Sequence, residues 1–261
     1  MKKKQICLIL LSMFLVGCSS QPNKPVEDPT SENIEINNEN SNEENNETSN
    51  NEDKPEEENI TLNKKEVFDS YKDFLVNSKG ESQYNGYAEY GFSLSKPKVD
   101  EDNQTIEYIG TMSDGYGEDE RGPREFNLKY EIQIINKYFK IVEKIENNDY
   151  MSESTKTLNS IIPDYLVIYN KMENGTNWTQ KFEFKGKSYE AKTRVTKFDG
   201  NIYELETVVN DINGFRNNIY IEKRTYTKGV GLTAFTNTPY YENKGSDSIP
   251  DDLVFGYTIT N

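Results

Sequence analysis

The sequence predicts a mainly β protein of the α+β class: a curved antiparallel sheet, a half-barrel or a sandwich, with one N-terminal helix. Three observations predict it. Apolar and polar side chains alternate along most of the chain after residue 80. Turn sequences such as Lys185-Gly186 and Gly200-Asn201 separate adjoining alternating runs. No succession of strand–helix–strand units occurs, which disfavours a parallel sheet.

The predicted helix opens the folded domain. Asn63, followed by Glu66, has the pattern of an N-cap with its capping-box partner, and Gly80 is a suitable stop. Between them, one apolar face recurs at helical spacing and should pack on the core: Val67, Phe68, Tyr71, Phe74 and Leu75.

Nine or ten short strands follow, in an antiparallel meander with one solvated face. The clearest run is Phe126 to Ile134. Further runs of period two are Ala88–Leu94, Ile106–Tyr108, Phe139–Ile145, Trp178–Phe184, Tyr189–Val195, Tyr203–Val209, Ile219–Ile221, Leu232–Ala234 and Leu253–Ile259, with the apolar run Tyr165–Tyr169 among them.

Two local expectations follow from these strands. Trp178 alternates in phase with Phe182 and Phe184, so we expect it in the core and not on a binding surface. Gly229 and Gly231 lie at a strand end, where glycine permits a positive φ or a bulge.

The first residues have the layout of a secretory signal: three lysines, an apolar run from Ile6 to Val16, and the ending Leu15-Val16-Gly17-Cys18. The run is too short to span a bilayer. The ending resembles the lipobox of bacterial lipoproteins. The resemblance implies that residues 1–17 are removed, that Cys18 carries the lipid, palmitate among its acyl chains, and that the protein is held on the extracytoplasmic face of the cell membrane. Two or three acyl chains give stable anchoring, whereas one is marginal.

Residues 18–60 are predicted to be a disordered acidic tether rich in Asn and Glu. From Ser19 to Ile60 the chain holds 13 acids, 2 lysines and no aromatic residue. With so little apolar area to bury, the entropy of ordering is not offset. Residues 61–261 form the β domain and hold all 18 tyrosines.

Composition excludes several functions. The chain has no His, which removes Ser-His-Asp and Cys-His catalysis and His-based metal sites. Of its 2 Cys, Cys7 lies in the signal, so neither a disulfide nor a free thiol is expected beside the lipidated Cys18. The net charge of −15 without basic clusters argues against a nucleic-acid partner. We expect no cofactor, no metal and no enzyme activity.

Three short motifs carry a second resemblance: Gly175-Thr176-Asn177-Trp178, Lys185-Gly186-Lys187-Ser188-Tyr189 and Lys228-Gly229-Val230-Gly231-Leu232. They are similar to segments of surface lipoproteins of low-GC Gram-positive bacteria, a group without an assigned activity. A mostly antiparallel sheet with a helix also resembles the half-barrel fold of lipoprotein carriers, in which a curved sheet shelters acyl chains.

Candidate sites are few. Asp114, Glu118 and Asp119 share one loop and supply oxygen ligands suited to Ca²⁺, but their spacing is not that of an EF-hand, and a solvated hairpin loop is favoured. Tyr84, Tyr87 and Tyr90 are candidates for stacking on a sugar, although aromatic residues also fill strand cores.

The functional expectation is a membrane-anchored lipoprotein without catalytic activity that binds an envelope ligand, either lipid or peptide, on a curved sheet. The first alternative is a structural or partner-docking protein of the cell surface, and the second is a carboxylate-based glycan hydrolase. An apolar cavity of several hundred Å³ would favour the ligand binder, and a packed sheet the docking protein. A cell-wall ligand is the third kind considered beside lipid and peptide. The sequence identifies neither the ligand nor the oligomeric state.

Overall fold

The computed structural model describes residues 62–86, 90–113, 125–147, 159–241 and 253–260. Its one α-helix, α1, spans Lys64–Tyr71 and continues as a 3-10 turn over Lys72–Phe74. As predicted, Asn63 caps it: its side chain accepts a hydrogen bond from the Lys65 amide at 2.9 Å. The helix ends well before Gly80, because the chain from Leu75 onward turns towards the first strand.

Within the described ranges, thirteen strands form a single antiparallel sheet, more than the nine or ten expected. A second 3-10 turn spans Arg216–Asn218. The strands are β1 Ser82–Gly86, β2 Gly91–Leu94, β3 Lys98–Asp100, β4 Thr105–Ser113, β5 Glu125–Ile135, β6 Tyr138–Glu146, β7 Tyr165–Tyr169, β8 Asn177–Phe184, β9 Lys187–Phe198, β10 Ile202–Val209, β11 Tyr220–Thr227, β12 Gly231–Asn237 and β13 Phe255–Ile259.

The sheet order is β7-β6-β5-β4-β2-β1-β13-β12-β11-β10-β9-β8, with β3 pairing only with β4. The chain therefore makes two meanders, β2–β7 and β8–β13, which β1 joins by pairing with β13. The order brings β7 and β8 to opposite edges of the sheet, and the sheet curves into a nearly closed barrel. This confirms the predicted mainly β class with one N-terminal helix.

The edges β7 and β8 meet without a backbone ladder between them. The Gln180 side chain bridges them: its Oε1 accepts from the Leu166 amide at 2.9 Å, and its Nε2 donates to the Asp164 carbonyl at 3.1 Å. The rings of Tyr169 and Trp178 lie 6.4 Å apart at the same place. We call this junction the seam.

The helix lies at one end of the barrel. Lys64 Nζ donates to the Asn103 carbonyl in the β3–β4 turn, and the Gly229 amide of the β11–β12 turn donates to the Asp73 carbonyl. Phe74 packs near Phe198 and Tyr203, beside the β9–β10 turn. Three turns of the sheet thus converge on the helix.

The interior is filled by side chains from every strand except β3. Trp178 is only 6% exposed and Phe182 is equally buried, as predicted, whereas Phe184 is half-buried. Gly229 and Gly231 have φ of +74° and +82°, which confirms the expected left-handed turn.

One strand is buried on the face opposite to that expected from its apolar residues. The sequence places a strand at Ile219–Ile221, but β11 extends to Thr227 and turns Tyr220, Glu222 and Arg224 inward. Ile221 faces solvent and is 37% exposed. Ile221 therefore lies on the outer face of β11, because the inner face carries the charged side chains of Glu222 and Arg224.

Candidate functional site

A buried ion cluster is the most unusual feature of the barrel interior. Arg224 on β11 lies between Glu143 on β6 and Glu222 on its own strand, and the three side chains are 2%, 8% and 0% exposed. Arg224 Nη1 donates to Glu143 at 2.7 Å, and Arg224 Nε donates to Glu222 at 2.8 Å. Alternation along β11 places Glu222 and Arg224 on the inner face and Lys223, between them, on the outer face.

Hydroxyl groups occupy the remaining carboxylate oxygens. Glu143 accepts from Tyr130 at 2.9 Å, while Glu222 accepts from Tyr220 at 2.6 Å and from Ser160 at 2.5 Å. Every carboxylate oxygen of the pair therefore has a donor, which a charge removed from water requires.

The guanidinium also lies close to two aromatic rings. Its central carbon lies 3.6 Å from the Tyr165 ring centroid and 5.5 Å from that of Phe235. A planar guanidinium suits such stacking because its faces carry no hydrogen-bond donors.

The charges of the cluster shift the pKa values of the groups around them. Burial by itself would lower the pKa of Arg224, but Glu143 and Glu222 raise that pKa well above its ordinary value, so the guanidinium stays charged. Burial raises the pKa of Tyr130 and Tyr220 well above 10, and the same carboxylates raise it further. The tyrosines therefore act as neutral donors.

Neutral hydrogen bonds add to the connection across the barrel. Tyr165 OH on β7 lies 2.7 Å from the Thr207 hydroxyl on β10, and Tyr203 OH donates to the Val167 carbonyl at 3.0 Å. Together with the bond from Arg224 to Glu143, they tie the β6–β7 edge to β10 and β11.

The free space beside this cluster is small. A cavity of about 30 Å³ borders Tyr130, Glu143 and Asn159. One water needs roughly 10–15 Å³ by this measure, so the cavity has room for about two. Sites for small molecules are roughly 300–1,000 Å³. In this conformation the cluster can hold charge and fix the sheet, but it has no room for a sugar or an acyl chain.

Among the described residues, two larger depressions lie on the outer surface. One of about 400 Å³ runs along β3 and β4 and is lined by Lys96, Lys98, Ile109 and Lys129 among others. We call it the β3–β4 trough. The other, of about 430 Å³, is lined by residues at the start of β9 and after β10, and we call it the β9–β10 trough: Ser188, Tyr189, Glu190, Lys192, Asn210 and Asp211.

The residues singled out from the sequence fall in two groups. Cys18, the acidic loop with Asp114, Glu118 and Asp119, and Tyr87 lie outside the described residues. Tyr84 and Tyr90 are 2% and 4% exposed and pack against rings of β2 and β13, so they fill the strand core, which was the favoured alternative, and do not present a face to a sugar.

Sequence reasoning missed the ion cluster, although a signal was present. Tyr220, Glu222, Arg224 and Tyr226 alternate in a strand. Charged residues in phase with large aromatics on one strand face indicate a buried polar group. Their partner Glu143, 81 residues from Arg224 along the chain, had no such signal.

Within the described ranges, no group of three or more acidic side chains is placed to hold a metal ion. No helix in this part of the chain is long and apolar enough to cross a membrane. A scan against protein-family models, a search of curated proteins and a search of solved structures each found no match for the chain.

Proposed function

We propose that this chain is a non-catalytic lipoprotein of the extracytoplasmic membrane face, anchored through Cys18, whose β barrel docks a partner on its outer surface. This is the partner-docking alternative of the sequence analysis. The small size of the interior cavity among the described residues is the observation that carries the choice: about 30 Å³ favours a packed scaffold over a carrier of lipid or peptide.

The outer face of β9, β10 and β11 is the surface best suited to a partner. Lys192, Val208 and Ile221 are neighbours across these three strands. Ile221 is 37% exposed and lies next to the half-buried Val208, so a small apolar centre is present. Lys192 also lines the β9–β10 trough. An apolar centre with a charged rim is the usual composition of a protein interface.

The sealed ion cluster supports the absence of catalysis. A glycosidase needs two carboxylates flanking a space for the sugar. Here Glu143 and Glu222 both bind Arg224, and all their oxygens are engaged. We assign the cluster to holding the barrel together.

Two measurements test this proposal. Organic extraction of the folded protein, followed by mass spectrometry, should yield no lipid in stoichiometric amount beyond the covalent anchor. A photo-crosslinking residue at Ile221 should give one discrete adduct in cells, weakened by Lys192→Glu, while the same residue at Asp102 gives none. Stoichiometric bound lipid, or equal labelling from both positions, would contradict the proposal.

The anchor is tested separately. The Cys18→Ala variant should leave the membrane fraction or accumulate as an uncleaved precursor. A processed Cys18→Ala protein that still fractionates with membranes would show that lipidation is not the anchor.

A further inference from the structure

The hairpin of β5 and β6 extends past the strands on either side of it. β4 pairs with β5 only as far as Glu131, and β7 pairs with β6 only from Lys140 onward. Pairing between β5 and β6 continues for two rungs past Lys140, to Ile135 opposite Tyr138. The end of the hairpin therefore projects about 7 Å beyond the β7 ladder and about 13 Å beyond the β4 ladder.

This end is the four-residue segment Ile135-Asn136-Lys137-Tyr138, which we call the β5–β6 tip, and all four residues are exposed. Ile135 is 50% and Tyr138 is 42% exposed, and few large hydrophobic side chains among the described residues are as open. The two lie opposite each other on the outer face, because Phe139, next to Tyr138, faces the core. An apolar pair at the end of a projecting hairpin indicates a contact surface.

The tip is held in place from behind. The ring of Tyr138 lies 6.3 Å from that of Tyr169 on β7, and the two rings are nearly parallel. The Asn170 amide donates to the Phe139 carbonyl at 2.8 Å, and the Phe139 ring lies 5.2 Å from the ring of Tyr71 on α1. The exposed side chains thus stand on a fixed support beside the helix.

The tip also carries an uncompensated positive charge. Lys137 is exposed and makes no ion pair with a described residue. The acids of the neighbouring segments have cations of their own: Glu173 lies 2.6 Å from Lys171, and Glu131 lies 3.1 Å from Lys144. An aliphatic side chain, a tyrosine and a free lysine on one projecting turn suit the surface of a lipid bilayer, where apolar groups meet wet headgroups and phosphates.

The position of the tip agrees with such a surface. α1 begins at Lys64 and contacts the hairpin through Tyr71, so the chain enters the barrel at the end that carries the tip. The roughly 40 residues between Cys18 and Thr61 would span about 30–40 Å as the disordered tether predicted from the sequence. A bilayer that holds Cys18 is then within reach of the tip, and the attachment raises the effective concentration of a weak contact.

We infer that the β5–β6 tip inserts into the interface of the lipid bilayer, with Ile135 at the acyl boundary, Tyr138 among the headgroups and Lys137 against lipid phosphates. This contact rests on the proposed membrane anchor, because two side chains by themselves bind a bilayer weakly. It directs the α1 end of the barrel towards the membrane and leaves the outer face of β9, β10 and β11 open to a partner.

Quenching of a new Trp by brominated lipids tests the contact. The chain from Cys18 to Asn261 is coupled through the Cys18 thiol to a maleimide lipid in phosphatidylcholine–phosphatidylglycerol vesicles, so the result does not depend on natural lipidation. In Tyr138→Trp, the emission added by the new Trp should fall several-fold when the acyl chains are brominated. Asn201→Trp, in the polar β9–β10 turn at the same end, is the matched control and should be unaffected, as should the buried Trp178. Absent quenching of Tyr138→Trp, or equal quenching of Asn201→Trp, would overturn the inference.

Two further measurements separate the bilayer from other occupants of the tip. In the Tyr138→Trp chain, adding Ile135→Ser and Lys137→Glu should abolish most of the quenching, whereas adding Ile109→Ser, an equally exposed isoleucine in the middle of β4, should not. In cells, a photo-crosslinking residue at Tyr138 should label lipid, while the one at Ile221 reports on the partner independently. A discrete protein or glycan adduct from Tyr138 would overturn the inference and leave the partner surface at Ile221 untouched.

Discussion

The two meanders of the sheet are joined in two places, and the joints are built differently. At one joint β1 pairs with β13 through three rungs of an antiparallel ladder, from Tyr84–Ile259 to Gly86–Tyr257. At the other, the seam, β7 and β8 have no rung at all, and the Gln180 side chain spans the gap.

The missing ladder at the seam explains why the polar side chains of the interior lie between β6–β7 and β10–β11. Charged and hydroxyl bonds run from β6 and β7 across to β10 and β11, the strands on the far side of the seam. A backbone ladder fixes register by itself, whereas an unpaired edge must be fixed by side chains. The Arg224 cluster and its tyrosines thus hold the edge that the ladder leaves open.

Alkaline pH should break the seam most completely. Burial raises the pKa of Tyr203 well above 10, so the group is neutral in the folded state at pH values where the unfolded chain ionises. The stability that the neutral Tyr203 contributes is therefore fully present below pH 10 and is lost as the pH rises beyond it. Tyrosinate absorbance from the buried tyrosines should appear together with the loss of circular dichroism in one transition. Non-cooperative titration of all tyrosines near pH 10 would contradict this.

Arg224→Met should cost about 3–5 kcal/mol of unfolding free energy, because it leaves two buried carboxylates without their cation. Denaturant unfolding measures the loss. The matched control replaces all three charges by apolar residues, as Glu143→Leu, Glu222→Leu and Arg224→Met together. It should recover part of the stability, because no charge is left unpaired, although the Tyr130, Tyr220 and Ser160 hydroxyls lose their acceptors. A loss below about 1 kcal/mol in the single variant would show that the cluster does not hold the seam.

Trp178→Ala should cost about 3–5 kcal/mol, as truncation of a buried Trp usually does. In the unmutated protein the emission of this one Trp should be blue-shifted, resist acrylamide and shift to the red on unfolding. Its Nε1 has no hydrogen-bond partner among the described residues. Native emission like that of free Trp would place the ring at the surface and remove it from the seam.

Gln180→Ala should cost about 0.5–1.5 kcal/mol, since it removes the partner of the Leu166 amide and of the Asp164 carbonyl. Hydrogen exchange at Leu166 should accelerate, while exchange at Asn85 in the β1–β13 joint stays unchanged. Thr179→Ala, on the outer face of the same strand, is the control. Equal acceleration at both joints would mean that the seam is not a separate weak point.

Removal of residues 19–60 should have the smallest effect. From Ser19 to Ile60 the chain holds no aromatic residue and few large aliphatic ones, so it can bury little apolar area. The melting temperature of a chain starting at Thr61 should stay within about 2 °C of that of the chain starting at Ser19. A larger drop would show that the tether packs on the barrel.

Local chemistry was predictable where one stretch of chain decides the outcome. The Asn63 cap, the turns at Gly186 and Gly229, and the burial of Trp178 and Phe182 follow from spacing and residue type alone. The sequence did not predict β1, Ser-Gln-Tyr-Asn-Gly, because its residues show little alternation and low β propensity. Pairing with β2 on one side and β13 on the other stabilises it instead.

The sequence by itself determined the mainly β class, the opening helix and most of the strands, because alternation and turn residues act over a few positions. Only the tertiary structure decided that β13 returns to β1, that β7 and β8 meet without a ladder, and that Glu143 faces Arg224. These outcomes join residues far apart in the chain, and the burial that makes them favourable exists only once the barrel has formed.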